Sequence, residues 1–150
     1  MDNFPFKVIH KLTEDHISQL MNLYQAEWWT KNRTEHDVKK MLKNCAYVFA
    51  VTDHDEKELY GFSRVLSDQV YFALIFDLIV NKEHRSKGIG GFILESIKNH
   101  PIISKIEYLE LCCRKELIPF YQKHGFNLGD GRMNIIKSTS FPPSTMDLKR

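Results

Sequence analysis

An apolar run that ends in a basic, glycine-containing loop, with an amphipathic helix directly after it, constrains this sequence more than any other feature. Residues 76–97 read FDLIVNKEHRSKGIGGFILESI, and the loop runs from Arg85 to Gly90. This order presents unpaired backbone N–H groups at the positive end of a helix dipole. Because Gly88 and Gly90 lack a Cβ, an anion can approach the backbone closely. The segment therefore predicts an anion site, to which Arg85 and Lys87 add positive charge.

The spacing of apolar residues elsewhere predicts an α/β (α+β) chain in which strands and helices are interspersed. Helical spacing after Thr13 and Thr34 predicts two capped helices, and the apolar stripe of the first continues to Trp28. Short connections predict an antiparallel meander of three strands, and the strand–helix–strand order around the loop predicts a parallel pair. The predicted strands are 6–10, 46–52, 59–66, 70–80 and 106–112, with a final hairpin over 126–137; the two later helices follow the loop and span 117–124.

Length and charge limit the classes of protein to which the chain can belong. A length of 150 residues favours a single domain over 1–150, with the polar, proline-broken segment 138–150 as a loose terminus or an edge cover. A net charge of +2 with dispersed basic residues argues against nucleic acid as a partner. The sequence has no run of about 20 apolar residues, so we expect no membrane span.

Cysteine content and the N-terminus favour a reducing compartment. The three cysteines, Cys45, Cys112 and Cys113, form no disulfide framework. The polar start MDNFPFKV does not have the pattern of a signal peptide, so the expected location is the cytoplasm. No Cys/His spacing is typical of a zinc site, and the expected metal content is none.

A second motif at a suitable distance makes the loop more specific. The segment FYQKHGF, residues 120–126, follows the loop by one strand and one helix. Together, LIVNKEHRSKGIG and FYQKHGF resemble the GNAT superfamily of N-acetyltransferases, over residues 70–137. The resemblance implies a mixed sheet of about seven strands flanked by four helices. In that sheet, an antiparallel meander adjoins a central splayed parallel pair.

The resemblance also implies a co-substrate, acetyl-CoA, and the residues that bind it. The loop would bind the pyrophosphate, and the backbone of the preceding strand would pair with the pantetheine arm. Tyr121 matches the tyrosine that protonates the leaving thiolate. Arg114 stands where many members have an asparagine that contacts the cofactor, and a cation can replace that contact to a phosphate-bearing cofactor. The implied cofactor residues are Leu78, Ile79, Val80, Arg85, Ser86, Lys87, Gly88, Ile89, Gly90, Arg114 and Tyr121.

The function implied is the direct transfer of an acetyl group to a primary amine of a small molecule or peptide, through a ternary complex. A non-catalytic acyl-CoA-binding regulatory module is the alternative. The segments VNKEHRSKGIG, LELCC, FYQKHGF and GRMNIIK are also similar, more weakly, to the glucosamine-6-phosphate N-acetyltransferase branch. The first half of the chain, where the acceptor would bind, shows no such similarity, so the resemblance does not identify the acceptor.

Acetyl transfer to an amine requires a base, because an alkylammonium must lose a proton before it attacks. Asp77 is the first candidate, since it interrupts an apolar strand just before the predicted cofactor-pairing residues. Glu110, on the parallel neighbour, is the second candidate, and a water path is the third possibility. The alternatives are a structural carboxylate for Asp77 and a solvent-facing side chain for Glu110. An acyl-cysteine on Cys112 or Cys113 is disfavoured, because strand cysteines usually serve in packing.

Aromatic residues and a cation between the first two helices are candidates for the acceptor site. Trp28, Trp29 and Arg33 are predicted to form its wall and to contact an anionic or aromatic group of the acceptor. The alternative places Trp28 in the core and Trp29 at its edge. The terminal strand and the tail offer an edge for a possible homodimer.

Overall fold

The protein is described by a computed structural model that covers residues 4–137 of the chain. Within that range, a seven-stranded mixed sheet is flanked by four α-helices, as the sequence predicted. The strands are β1 (Lys7–Ile9), β2 (Tyr47–Thr52), β3 (Leu59–Ser67), β4 (Phe72–Val80), β5 (Tyr108–Leu111), β6 (Asn127–Gly129) and β7 (Arg132–Ile136). The α-helices are α1 (Glu14–Gln25), α2 (Glu35–Asn44), α3 (Ile89–Lys98) and α4 (Ile118–Lys123). The predicted tail 138–150 lies outside the described residues.

The strands lie side by side in the order β1-β2-β3-β4-β5-β7-β6. Strands β2, β3 and β4 pair antiparallel, which confirms the predicted meander. Strands β4 and β5 pair parallel across the α3 crossover, which confirms the predicted parallel pair. The final hairpin folds back so that β7, rather than β6, lies against β5.

Helices cover both faces of the sheet and bury a separate apolar cluster on each. The larger cluster joins α3 and α4 to side chains such as Val65, Ile75 and Leu109. The smaller cluster joins α1 and α2 to the opposite face of the meander through Leu20, Phe62 and other residues. Among residues 4–137, no helix combines the length and the apolar content that a bilayer crossing requires.

The two N-terminal helices begin at the predicted caps. The Thr13 hydroxyl accepts a hydrogen bond from the His16 backbone N–H, and the His16 ring accepts one from the Thr13 N–H. The Thr34 hydroxyl accepts from the Asp37 backbone N–H at 3.2 Å. Caps of this kind stabilise a helix by about 1 kcal/mol, because they satisfy donors that the first turn leaves unpaired.

The first helix is shorter than its apolar stripe suggests. It ends at Gln25, and the Ala26 backbone N–H closes its last turn. Trp28 therefore lies beyond the helix and is 68% exposed, so its alternative placement in the core is wrong. The segment between the helices carries Trp28, Trp29 and Arg33 outward to the edge of an opening in the sheet.

Candidate active site

The sheet opens where the parallel pair separates. Strand β4 pairs with β5 only from Phe72 to Leu74, opposite Tyr108 to Glu110. Beyond Leu74, the edge of β4 that faces β5 pairs with no strand in the described part of the chain. A cavity of about 460 Å³ fills the gap, and we call it the strand cleft. It is lined by Trp28, Trp29, Ile75, Phe76, Asp77, Leu78, Leu111, Cys112, Cys113, Arg114, Leu117 and Tyr121.

A β-bulge in β4 coincides with the opening. Phe62 pairs with Ile79, whereas Arg64 pairs with Phe76, so a step of two residues on β3 matches a step of three on β4. The extra residue falls at Asp77, whose φ of +56° is left-handed. Such a bulge bends a strand and ends regular pairing. Aspartate adopts left-handed backbone conformations more readily than most other residues with a side chain, so it can occupy the bulge position.

The Asp77 carboxylate is bound by three side chains from three different elements. Arg33 donates two hydrogen bonds, at 2.5 Å and 3.2 Å, and Arg64 donates one at 2.7 Å. The Tyr24 hydroxyl donates a fourth at 3.1 Å. The side chain of Asp77 is only 4% exposed. The carboxylate therefore ties α1, the α1–α2 segment and β3 to the bulge.

These contacts decide the charge state of Asp77. Burial alone raises the pKa of a carboxyl group, but the hydrogen bonds and charges of Arg33 and Arg64 outweigh it, and the pKa of Asp77 lies below its ordinary value. A carboxylate that is buried, saturated with donors and weakly basic is poorly suited to accept a proton from an amine. The geometry thus favours the structural alternative for Asp77.

Glu110 lies on β5, away from the strand cleft. Its side chain is only 4% exposed and accepts a hydrogen bond from Arg132 at 2.6 Å. The interpretation of Glu110 as a solvent-facing residue is therefore wrong. It is absent from the described residues that line the cleft, so its contacts support a second structural ion pair.

Tyr121 lies on α4 at the inner end of the strand cleft. The residue is 6% exposed, and its ring packs against Phe120 and Phe126 with centroid distances of 5.1 Å and 6.0 Å. Within residues 4–137, its hydroxyl has no hydrogen-bond partner. Burial raises the pKa of the Tyr121 hydroxyl well above its ordinary value, and the Cys113 thiol adds to the effect. The hydroxyl is thus a neutral donor available to a ligand in the cleft.

A second cavity of about 670 Å³ continues from the strand cleft toward the glycine loop, and we call it the loop groove. It is lined by Glu27, Trp29, Leu78, Ile79, Val80, Arg85, Ser86, Gly90, Arg114, Glu116, Leu117, Phe120 and Tyr121. The groove therefore follows the open edge of β4 to the start of α3. Leu78 and Tyr121 line both cavities, so the two adjoin each other.

The loop ends at a helix N-terminus that has no side-chain cap. Gly88 precedes α3 with a φ of +80°, a conformation that glycine adopts without strain. No side chain bonds to the first-turn N–H groups of α3. Ile89 is buried in the core, so its side chain is not available to a ligand. The first-turn N–H groups of α3 therefore have no side-chain acceptor, and the binding of an anion there stays a prediction.

Arg85 is held by an acidic residue that the sequence did not single out. Its guanidinium bonds the Glu27 carboxylate at 2.7 Å and the Val80 carbonyl at 3.2 Å. Both partners line the loop groove. The Lys87 ammonium instead lies 3.2 Å from Nδ1 of the His84 ring. Lys87 is not among the described residues that line the loop groove. Of the two predicted cations of the loop, the structure brings Arg85 into the groove.

A third cavity of about 460 Å³ lies on the other side of the strand cleft, and we call it the aromatic pocket. It is lined by Trp28, Trp29, Thr30, Asn32, Arg33, Asp37, Val38, Met41 and Arg64. Trp29 lines all three cavities. The Arg114 guanidinium lies 4.9 Å from the Trp28 ring centroid, a cation–π contact at the cleft mouth.

Glu58, Glu83 and His84 form a small cluster outside these cavities, with ligand atoms within 4.8 Å of one another. The His84 ring bonds Glu58 at 3.0 Å and lies beside the Lys87 ammonium. It also stacks on Tyr60 with a centroid distance of 3.9 Å. These contacts are surface hydrogen bonds and ring stacking that tie the turn before the loop to the start of β3.

The residues that sequence reasoning missed are Tyr24, Glu27 and Arg64. Tyr24 was predicted as part of an apolar stripe and as a possible wall of the acceptor pocket, but its bond to Asp77 was not foreseen, and Arg64 was taken only as part of a strand. Arg64 shares the β3 face with Phe62, and an arginine within an otherwise apolar strand is the signal that could have identified it. Glu27 carried no such signal, because it becomes important only through its contact with Arg85.

Comparisons with known proteins agree with this geometry. Residues 44–128 match the family model of the acetyltransferase (GNAT) domain. The chain is 32% identical over 133 residues to an uncharacterized N-acetyltransferase of Prochlorococcus marinus, a match that covers 85% of this chain and 71% of that protein.

Solved structures share the fold. A putative acetyltransferase from Deinococcus radiodurans R1 superposes with a TM-score of 0.72 at 21% identity, over 90% of this chain and 89% of that chain. A GNAT family acetyltransferase from Elizabethkingia anophelis, solved with acetyl-CoA bound, superposes with a TM-score of 0.65 at 15% identity. That match covers 84% of this chain and 78% of the other.

Proposed function

Because this chain belongs to the GNAT family of N-acetyltransferases, we propose that it transfers the acetyl group of acetyl-CoA directly to a primary amine of a small molecule or peptide. One observation carries the proposal. Three adjoining cavities lie along the unpaired edge of β4, from the uncapped N-terminus of α3 to Tyr121 and on to the aromatic pocket. Two substrates can therefore lie end to end, with their reacting groups beside Tyr121.

The loop groove fits the acetyl donor. Its open strand edge at Leu78, Ile79 and Val80 offers backbone groups to an extended, amide-containing arm. The α3 N-terminus and the loop amides, with Arg85, suit a pyrophosphate. The donor supplies an activated thioester, and all remaining steps are assigned to this chain's own residues.

We assign three roles around the thioester position. Tyr121 donates its proton to the departing sulfur, since its hydroxyl is neutral and lines both the groove and the cleft. Backbone N–H groups near Leu78 and Ile79 stabilise the oxyanion. Trp28, Trp29 and Arg33 form the acceptor wall. Holding both substrates in one channel supplies much of the rate enhancement by proximity alone.

Proton removal from the amine is assigned to a water path through the aromatic pocket. Asp77 and Glu110, the two carboxylates considered as bases, are each engaged by arginine. We propose that Asp77 acts as a positioning residue, because its bonds hold the bulge and Arg33 in place. Solvent that enters the pocket can accept the proton without a dedicated side chain.

The first test is acceptor-dependent release of free thiol from acetyl-CoA with a panel of primary amines. We expect release above the rate of hydrolysis with at least one amine. Calorimetry with CoA accompanies it, since the alternative of a non-catalytic acyl-CoA-binding module predicts binding without turnover. Tight CoA binding with no release from any amine would favour that alternative.

Replacing Glu27 by glutamine is expected to strengthen CoA binding. The Glu27 carboxylate occupies Arg85 and would lie close to the negative phosphates of the donor. Its removal frees the guanidinium and removes a repulsion, which should lower the CoA dissociation constant by about threefold at low salt. Isothermal titration calorimetry measures the change.

Glu116→Gln is the matched control, because Glu116 lines the same groove and has no ion pair within the described residues. A smaller effect is expected from it. If Glu27→Gln instead weakened CoA binding, Glu27 would have to orient Arg85 toward the phosphates rather than compete with them.

A further inference from the structure

The floor of the aromatic pocket, the part next to Asp77, contains an arginine whose terminal N–H groups bond no oxygen acceptor within the described residues. Arg64 donates only its Nε–H to an oxygen acceptor in residues 4–137, namely the Asp77 carboxylate at 2.7 Å. Its guanidinium lies over the Phe76 ring at 4.9 Å and near the Cys45 thiol. The side chain is 14% exposed, and its exposed part lines the pocket. Apart from the Cys45 thiol, the terminal N–H groups of Arg64 therefore have no acceptor within the described residues, and Arg64 lines the pocket.

The charged groups at the floor of the pocket carry a net positive charge. Two guanidinium groups, those of Arg33 and Arg64, share the single carboxylate of Asp77. Asp77 is 4% exposed and is not among the described residues that line the pocket. A ligand in the pocket would therefore contact Arg33 and Arg64 but not the Asp77 carboxylate. A guanidinium with free N–H groups in a partly dry site binds a carboxylate through short, charge-assisted hydrogen bonds.

The rest of the pocket limits where an anion can bind. Asp37 is the one carboxylate among the described lining residues, and it lies at the exposed first turn of α2. Trp28, Trp29, Val38 and Met41 provide apolar walls between the floor and the opening. An anionic group is therefore favoured at the floor and disfavoured near the rim.

Resting on the proposed function, the geometry points to a specific acceptor class: amines that also carry a carboxylate. The carboxylate binds the free N–H groups of Arg64, supported by the charge of Arg33. The apolar part of the acceptor packs between Trp28 and Trp29, and the amine extends through the strand cleft toward Tyr121. Arg64 is thus a specificity-determining residue, and it binds the acceptor rather than the donor.

Paired acceptors test this assignment. Each pair consists of an amino acid and its primary amide, in a series from α-amino to ω-amino acids, with acetyl-CoA as donor. For the best pair, kcat/KM should be about tenfold or more higher for the carboxylate, which corresponds to a charged hydrogen bond. Equal or higher kcat/KM for the amide in every pair would overturn the assignment.

Arg64→Gln should reduce the preference for the carboxylate to about onefold while the dissociation constant for CoA stays unchanged. Arg64→Lys retains a charge next to Asp77 and should keep part of the preference. Lys43→Gln is the control, because it removes a positive charge from α2 outside the pocket. If Arg64→Gln left the preference intact, or if Lys43→Gln removed it, the assignment would be wrong.

Binding without turnover separates this inference from the proposed function. The only two tryptophans of the chain, Trp28 and Trp29, both line the pocket, so their fluorescence reports on its occupancy. Cyclohexanecarboxylate should change the emission saturably, and cyclohexanecarboxamide should bind about tenfold more weakly. This result would stand even if no amine were acetylated. Equal responses to the two probes would overturn the anion subsite whether or not the enzyme turns over.

Discussion

Replacing Tyr121 by phenylalanine is expected to lower the rate of acetyl transfer by about 10²- to 10⁴-fold, the range for loss of a general acid. The change removes only the hydroxyl, because the ring that packs against Phe120 and Phe126 is retained. The hydroxyl has no bond to lose within the described residues, so the fold should be unaffected. Steady-state kinetics with acetyl-CoA and a working amine measures the loss.

Donor affinity provides the internal control for this variant. The dissociation constant for CoA should stay within about twofold, since a transition-state contact contributes to turnover rather than to ground-state binding. Tyr47→Phe is the matched control, because it removes a hydroxyl bonded to Gln69 at the surface. It should leave turnover unchanged. Activity of Tyr121→Phe equal to that of the unmodified chain would remove Tyr121 from the acid role.

Replacing Asp77 by asparagine is expected to lower the free energy of unfolding by about 3–5 kcal/mol, the usual effect of removing one partner from a buried ion pair. The variant leaves the Arg33 and Arg64 guanidinium groups next to each other without their shared carboxylate. Urea denaturation measures the loss. Glu95→Gln is the control, because that carboxylate is 45% exposed and pairs at the surface with Lys98 and His124. Its effect should stay below about 1 kcal/mol.

The pH dependence of stability gives a second measurement for the same variant. The pKa of Asp77 is lower in the folded chain, so its contribution is complete above the ordinary carboxyl range near about 3.9 and disappears as pH falls through the folded pKa. The stability difference between the unmodified chain and Asp77→Asn should therefore shrink in acid. A loss under about 1 kcal/mol at neutral pH would mean that other contacts hold the bulge.

The parts of the site that were predictable from the sequence are local in the chain. The glycine loop requires only consecutive residues, and so does the α4 segment with Tyr121. The antiparallel pairing of β2, β3 and β4 followed from short connections, and the parallel pairing of β4 with β5 followed from the strand–helix–strand order. These features depend on neighbours in sequence, which periodicity and turn residues encode directly.

The Asp77 cluster was not predictable in the same way. Asp77 was noticeable as a carboxylate in an apolar strand, but its partners come from positions 24, 33 and 64, on three other elements. A one-residue bulge shifts the register and changes which side chains share a face. The apolar periodicity also predicted too long a first helix. The stripe continues to Trp28, but the helix ends at Gln25 because the chain turns at Ala26.

The segment that joins α1 to α2 contacts both of the proposed substrate sites. Glu27, at one end, bonds Arg85 in the loop groove, and Arg33, at the other end, bonds Asp77 beneath the aromatic pocket. A donor that displaces Glu27 frees one end of this segment, and an acceptor that engages Arg33 restrains the other. Thermodynamic linkage then requires reciprocity: the factor by which the donor alters acceptor affinity equals the factor by which the acceptor alters donor affinity. The segment therefore offers a physical route by which occupancy of one proposed site would alter affinity at the other.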